Sequence, residues 1–168
     1  MNSLKMYDYH QWANKQVIDR LKELPESIYD KEIKSVFPSI AKTLSHIYLV
    51  DSGWLEVMSG KSFEEALQLE EQVSNLTKNM AIHEIEVIFS DLYERFNAFL
   101  NSQPDMEKII EFDNPWAGPT AVSLSDMIIH IANHGTYHRG NIAAMLRQLD
   151  HSSVMTDYAV FWYANQPK

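Results

Sequence analysis

Four stretches of about twenty residues carry apolar side chains at steps of three and four, and this spacing limits the fold more than any other feature of the chain. It follows the 3.6-residue turn of a helix and lines one face with apolar groups, which must then be covered by another element. Met6, Tyr9, Ala13, Val17, Leu21 and Leu24 predict a first helix over about Leu4 to Leu24, ended by Pro25. A second runs over about Ser39 to Met58, with Leu44, Ile47, Asp51, Leu55 and Met58 on one stripe and His46, Val50, Trp54 and Val57 on the next. So wide a face predicts contact on two sides. Ile82, Ile85, Phe89, Leu92, Phe96 and Phe99 mark a third helix to about Leu100 and leave His83 facing solvent. The fourth opens at Ser123-Leu124-Ser125-Asp126, a capping-box-like start, and extends to about Leu149.

The connections are less patterned. Glu26 to Phe37 reads as a polar crossing at the end of a bundle, and acidic Lys61 to Met80 reads as a solvated loop or short helix. Glu64 and Glu65 are adjacent, so on a helix they point apart and read as surface groups. Lys108 to Phe112 and Ala121-Val122, around the turn residues Asn114 to Pro119, predict a short β-hairpin before the last long helix. The tail, His151 to Lys168, includes Val154 to Ala164 as a short helix or extended cover for an apolar flank. The expected fold is therefore all-α, a four-helix bundle with long connections, in a single domain over residues 1–168.

Composition narrows the function. A net charge of −9 with no run among the fourteen basic residues repels a phosphate backbone, so no direct nucleic-acid binding is expected. Cysteine is absent, which excludes disulfides, thiolate metal sites and an internal thiol nucleophile, and fits a reducing cytoplasm. Met1 to Lys5 has no apolar signal core and no stretch is long and apolar enough to span a bilayer, so the expectation is a chain neither exported by such a signal nor membrane-spanning.

His130, His134 and His138 stand four residues apart in the fourth helix, so neighbouring imidazoles share a face and can converge on one ion. The outer two are separated by about 12 Å along the axis, so only one adjacent pair can share it. The apolar stripe Met127, Ile131, His134, His138, Ile142 and Met145 includes the second pair, although His130 lies only slightly off it. His134 and His138 are the favoured pair, with His46 in the second helix the best-placed third ligand. Spacing alone does not separate this from histidines packed in a core. A zinc-protease reading fails because Gly135, not glutamate, follows His134. Gly135 and Gly140 each cost about 1 kcal/mol inside a helix, which predicts close approach of a backbone or ligand.

Several separated stretches resemble one family. Tyr9-His10-Gln11-Trp12-Ala13-Asn14, Thr43-Leu44-Ser45-His46-Ile47 with Trp54, His130-x3-His134-x2-Tyr137-His138-Arg139-Gly140-Asn141-Ile142 running into Leu146 to Leu149, and Thr156-Asp157-Tyr158 occur in the order seen in the DinB/YfiT-like superfamily. The resemblance covers most of the chain. It implies a metal triad of His46, His134 and His138 in a cleft at one end of the bundle, a divalent ion, zinc or nickel, and a homodimer. It places His130 in packing or a supporting role. Some relatives are transferases that use a low-molecular-weight thiol, and others have no established activity. The sequence departs at Asp150-His151-Ser152-Ser153, where a glycine-led turn is expected.

Three neutral imidazoles leave coordination positions open, as catalytic rather than structural zinc sites do. The leading expectation is a metal-dependent transferase acting on a small molecule with an imported thiol as cosubstrate. The alternatives are a metal-dependent hydrolase, for which Asp51 and Asp126 are the carboxylates considered, and a non-catalytic metal-binding stress-response protein. Asn133 and Asp157 are expected to hydrogen-bond ligand imidazoles. Arg139 pairs with a carboxylate or an anionic substrate, and Trp12, Trp54 and Trp116 line a pocket or the core. No catalytic residue is assigned.

Overall fold

Each periodic stretch is a helix in the computed structural model, which describes residues 2–165. The long helices are α1 (Ser3–Lys22), α2 (Ile40–Met58), α5 (Ile82–Asn101) and α6 (Leu124–Gln148). Their starts are local chemistry: the side chains of Asn2, Ser39 and Ser123 accept from backbone N–H groups of the first turns of α1, α2 and α6. Before α5, Glu84 reaches back to accept from Ala81 N at 2.8 Å. Helix α6 packs on both α1 and α2, and α5 touches both as well, so the four close a ring in the order α1, α6, α2, α5.

The connections hold more structure than their composition shows. Residues 61–80 form two short helices, α3 (Phe63–Leu67) and α4 (Leu69–Thr77), packed on α2. Ser62 and Glu65 cap each other at the start of α3, Ala66 and Val73 are buried, and Thr77 Oγ1 meets Ser45 Oγ at 2.7 Å. The predicted hairpin is present as antiparallel β1 (Ile109–Asn114) and β2 (Gly118–Ser123), in register from Ile109 opposite Ser123 to Asn114 opposite Gly118. Gly118 takes the left-handed conformation that its turn requires, at φ 77°. The tail forms helix α7 (Tyr158–Ala164), whose Phe161 packs with Tyr9 and Ala13 of α1; residues 166–168 of the predicted tail lie outside the described residues.

The expected glycine-led turn after α6 is built without glycine. His151 N donates to Leu146 O at 2.9 Å and Asp150 N to Arg147 O at 3.2 Å, a Schellman pair of bonds, with Asp150 itself at φ 62°. Aspartate is among the few residues that visit this region without a large penalty.

The core has two large apolar clusters and a small third one of Tyr9, Ala13 and Phe161. One gathers Ile18, Leu44, Ile47, Ile85, Phe89 and Ile142, and the other Leu55, Phe96, Leu124, Met127, Ile128 and Ile131. Between them lie residues 10–14 of α1, 51 of α2 and 134–139 of α6, and this layer is polar. His10, Asn14 and Asp51 are completely buried and Arg139 is 2% exposed.

Candidate metal centre

The polar layer contains two histidine groups, one on each side of α6. On the α2 side, His134 and His138 project from successive turns of α6 and meet His46. The Nε2 of His134 lies 3.1 Å from that of His46 and 3.1 Å from that of His138. One ligand atom from each ring falls within 4.8 Å of the others. His138 is buried and the other two are half-buried, while Phe37 lies against the His46 and His138 rings at 4.7 and 5.6 Å between centroids. Leu44, Ile47 and Ile142 of one apolar cluster and Ile131 of the other flank these histidines along α2 and α6.

This environment disfavours protonated imidazole. Burial, then the neighbouring histidines, pull His134 down to about 3, and burial with His46 pulls His138 down to about 4. Burial also lowers His46, opposed by the charges of Asp51 and Glu70. Neutral imidazoles keep lone pairs available, which is the state a metal ligand needs.

His130 is outside this group. It is exposed, edge-on to Trp54 at 5.3 Å, with its ring 6.1 Å from that of His134. Neither Asn133 nor Asp157 hydrogen-bonds to any of the three imidazoles. Both line a groove on the opposite flank, between α6 and the segment leading into α7. The neighbour of a ring nitrogen is instead Asn141, whose amide stands 3.3 Å from His138 Nδ1. It lies one turn after His138 in the motif, so i, i+3 spacing was the available signal. The buried Nδ1 of His134 makes no hydrogen bond among the described residues.

On the α1 side the second group is a linked network. Arg139 Nη1 donates to Asn14 Oδ1 at 2.8 Å and approaches His10 Nδ1 at 3.4 Å. Guanidinium only donates, so His10 Nδ1 is the acceptor and Nε2–H donates to Asp51 Oδ2 at 2.8 Å. Asn14 Nδ2 donates to Tyr93 OH at 2.9 Å, and Arg139 Nη2 to Thr136 Oγ1 at 2.7 Å. Arg139 and Asp51 therefore face each other through His10. Gly135 makes this possible: a Cβ there would overlap the His10 ring and stand 2.7 Å from Arg139 Nη1. The close approach expected at Gly140 is absent, since a Cβ there meets nothing within 4 Å.

The arrangement also removes both carboxylates considered for hydrolysis. Asp51 is sealed against His10, and Asp126 accepts from Ser123 Oγ at 3.0 Å in the first turn of α6, two turns before His134. Beside His46 lies a cavity of about 290 Å³ between α2, the α3–α4 pair and the hairpin tip, with Trp54 and Trp116 in its walls and Glu70 at its edge. Trp12 lies elsewhere, against Tyr9 and Phe161 of the third small cluster.

Fold and site thus define a helical bundle with a three-histidine cluster between two of its long helices. The model of the DinB family matches residues 1–168, and the chain belongs to that family. Over 161 residues it is 47% identical to Protein DinB of Bacillus subtilis (strain 168), covering 96% of this chain and 94% of that protein. Two solved structures share the fold at low identity. Sibling Lethal Factor Precursor, DfsB, matches with a TM-score of 0.62 at 11% identity over 89% of this chain and 98% of its own. An uncharacterised protein from Clostridium difficile 630 matches at 0.59 and 15% over 84% and 94%. No helix among the described residues is long and apolar enough to cross a membrane.

Proposed function

We propose that this chain is a divalent-metal-dependent enzyme whose ion is held by His46, His134 and His138, and that a low-molecular-weight thiol, giving up its proton, forms an S–C bond to a small electrophile and displaces a leaving group that takes the electron pair of the broken bond and departs to solvent. The observation that carries the reading is the pair of 3.1 Å contacts among three Nε2 atoms. His134 Nε2 faces two other ring nitrogens, and a neutral imidazole has a single N–H to give, whereas three lone pairs directed at one point suit a cation. Zinc and nickel both accept such a donor set. When bound, the ion supplies a positive centre that keeps an external water or thiol deprotonated near neutral pH.

The chain's own groups prepare that position. Burial holds the imidazoles neutral, Phe37 shields the His46–His138 side from water, and Asn141, whose Nδ2 stands 3.3 Å from His138 Nδ1, would accept from Nδ1–H with its amide turned over. The protein has no cysteine, so the thiol comes from outside. The whole chain acts as one domain, a reading supported by the cluster that joins Val17 near the start to Leu146 near the end. A homodimer is part of the same proposal, and sedimentation at micromolar protein tests it.

Elemental mass spectrometry on untagged protein is the direct test. Near-stoichiometric zinc or nickel in the wild type and in His130→Ala, lost in His46→Ala, His134→Ala and His138→Ala, supports the triad. A wild type that stays empty after reconstitution overturns it. Metal-dependent conjugation of a thiol to members of an electrophile panel then supports the transferase. Glu70 gives the hydrolase alternative its one carboxylate beside His46; hydrolysis without added thiol, abolished in Glu70→Gln, would establish that reading instead.

A further inference from the structure

A glycine in the middle of α2 has no structural reason to be there. Gly53 lies inside a helix, where glycine costs about 1 kcal/mol relative to alanine. Its φ is not positive, and an added Cβ would meet nothing within 4 Å, so neither backbone conformation nor close packing calls for it. This is the opposite of Gly135. What Gly53 does is leave space. It lines the cavity beside His46, on the stripe His46, Val50, Gly53, Trp54 and Val57 that runs down one face of α2.

The other walls come from the elements least legible in the sequence. Phe63 and Leu67 of α3 and Trp116 at the hairpin tip close the cavity opposite that stripe. The aromatic rings brace one another, Trp54 edge-on to Phe63 at 5.7 Å and Phe63 edge-on to Trp116 at 5.8 Å. Trp116 is 76% exposed, an unusual position for so large an apolar group unless it serves as a wall or cover. The volume of about 290 Å³ is at the low end of the roughly 300–1,000 Å³ of small-molecule sites, room for a single ring or short branched chain. Among the described residues no cationic side chain lines it, and the Glu70 carboxylate in its lining repels anions.

We infer that this cavity is the substrate pocket, and that it takes the uncharged, ring-bearing apolar body of the electrophile, directing its reactive end toward His46. The inference rests on the proposed metal-dependent transferase for what happens at that end, but the binding it asserts belongs to the cavity alone. Edge-on aromatic walls favour a flat ring over a flexible chain.

The probe is 4-nitrobenzyl alcohol, a neutral single-ring molecule whose nitro group quenches tryptophan emission. Two of the four tryptophans line the pocket, so binding is read as saturable quenching. Wild type is compared as purified and after chelation, beside Gly53→Ala and Gly53→Leu, with metal content and melting temperature measured on each. Saturable binding that survives chelation is expected, slightly weaker in Gly53→Ala and weaker by on the order of tenfold in Gly53→Leu, because the added carbons occupy the ligand's volume. Both variants should keep the metal content of the wild type, and Gly53→Ala should melt higher. Absence of saturable quenching, binding that disappears on chelation, or equal affinity across the series overturns the pocket; if Gly53→Leu does not fold, the alanine variant alone decides. An empty metal site with probe binding intact and blocked by leucine would overturn the metal reading and leave the pocket standing.

Discussion

The two histidine groups flanking α6 are neighbours built on opposite plans. In the α1-side network each ring nitrogen of His10 has a partner of different character, a carboxylate at Nε2 and a guanidinium at Nδ1, and all three residues are buried. In the α2-side group, like faces like, with three Nε2 atoms directed at one another and Nδ1 of His134 without a bond. The first group links unlike partners, although Asp51 Oδ1 and Arg139 Nε make no hydrogen bond among the described residues. The second is the arrangement that the proposed cation would complete by accepting several lone pairs. One helix carries both because Gly135 admits the His10 ring on one side while His134 and His138 face the other.

Removing a member of each group has different consequences. The largest effect is expected in the closed network. Asp51→Ala or Arg139→Ala leaves a buried charged group uncompensated and should cost about 3–5 kcal/mol by urea denaturation. In chelated protein His134→Gln should cost about 1 kcal/mol or less, since it removes a ring whose contacts compete for the same protons. Equal losses would break the comparison.

Gly135→Ala comes next. Despite a helix-propensity gain of about 1 kcal/mol, the methyl overlaps His10, and a net loss of about 1–3 kcal/mol is expected, with weaker metal retention as α6 shifts. His10→Ala in the same chain should recover part of that loss, and a double-variant cycle measures the coupling. Additive effects would place the strain elsewhere.

Acid separates the two groups at smaller amplitude. His134 and His138 are lowered to about 3 and about 4, against an unfolded value near 6.5. Below 6.5 the unfolded chain takes up protons that the folded chain refuses, so this stabilisation is full above 6.5 and is lost as pH falls toward 3. The melting temperature of chelated protein should therefore drop across that window. The His134→Gln, His138→Gln double variant should have a shallower slope, and an unchanged slope would remove these two rings as the cause. The smallest effect is His130→Ala, which should leave metal retention at the proposed site unchanged and shift stability by no more than about 1 kcal/mol, as an exposed ring outside the three-histidine cluster.

The four long helices were legible within about two residues at most ends, because capping side chains and apolar period act over neighbouring positions. Ser39 and Ser123, for example, cap where the pattern begins. The pairing of His134 with His138 was legible for the same reason. His46 required a resemblance as well as a pattern, since nothing local connects it to residues 88 and 92 positions further along. Asn133 and Asp157 illustrate the limit: both have suitable chemistry and nearby numbers, yet both lie on the other flank of α6. The acidic surface of residues 61–80 suggests a solvated loop or short helix, yet Ala66 and Val73 are buried, and Phe63, Ala66 and Leu67 form a wall of the cavity.

By itself the sequence determined which segments become helices, where they begin, and that two histidines one turn apart share a face, all consequences of a 3.6-residue repeat and of bonds spanning three or four positions. Only the tertiary structure decided that His10 reaches Asp51 across 41 positions and Arg139 across 129, and which flank of α6 faces His46. Those contacts depend on how whole helices pack around Gly135, and packing is set by the summed burial of both apolar clusters rather than by any local run of residues.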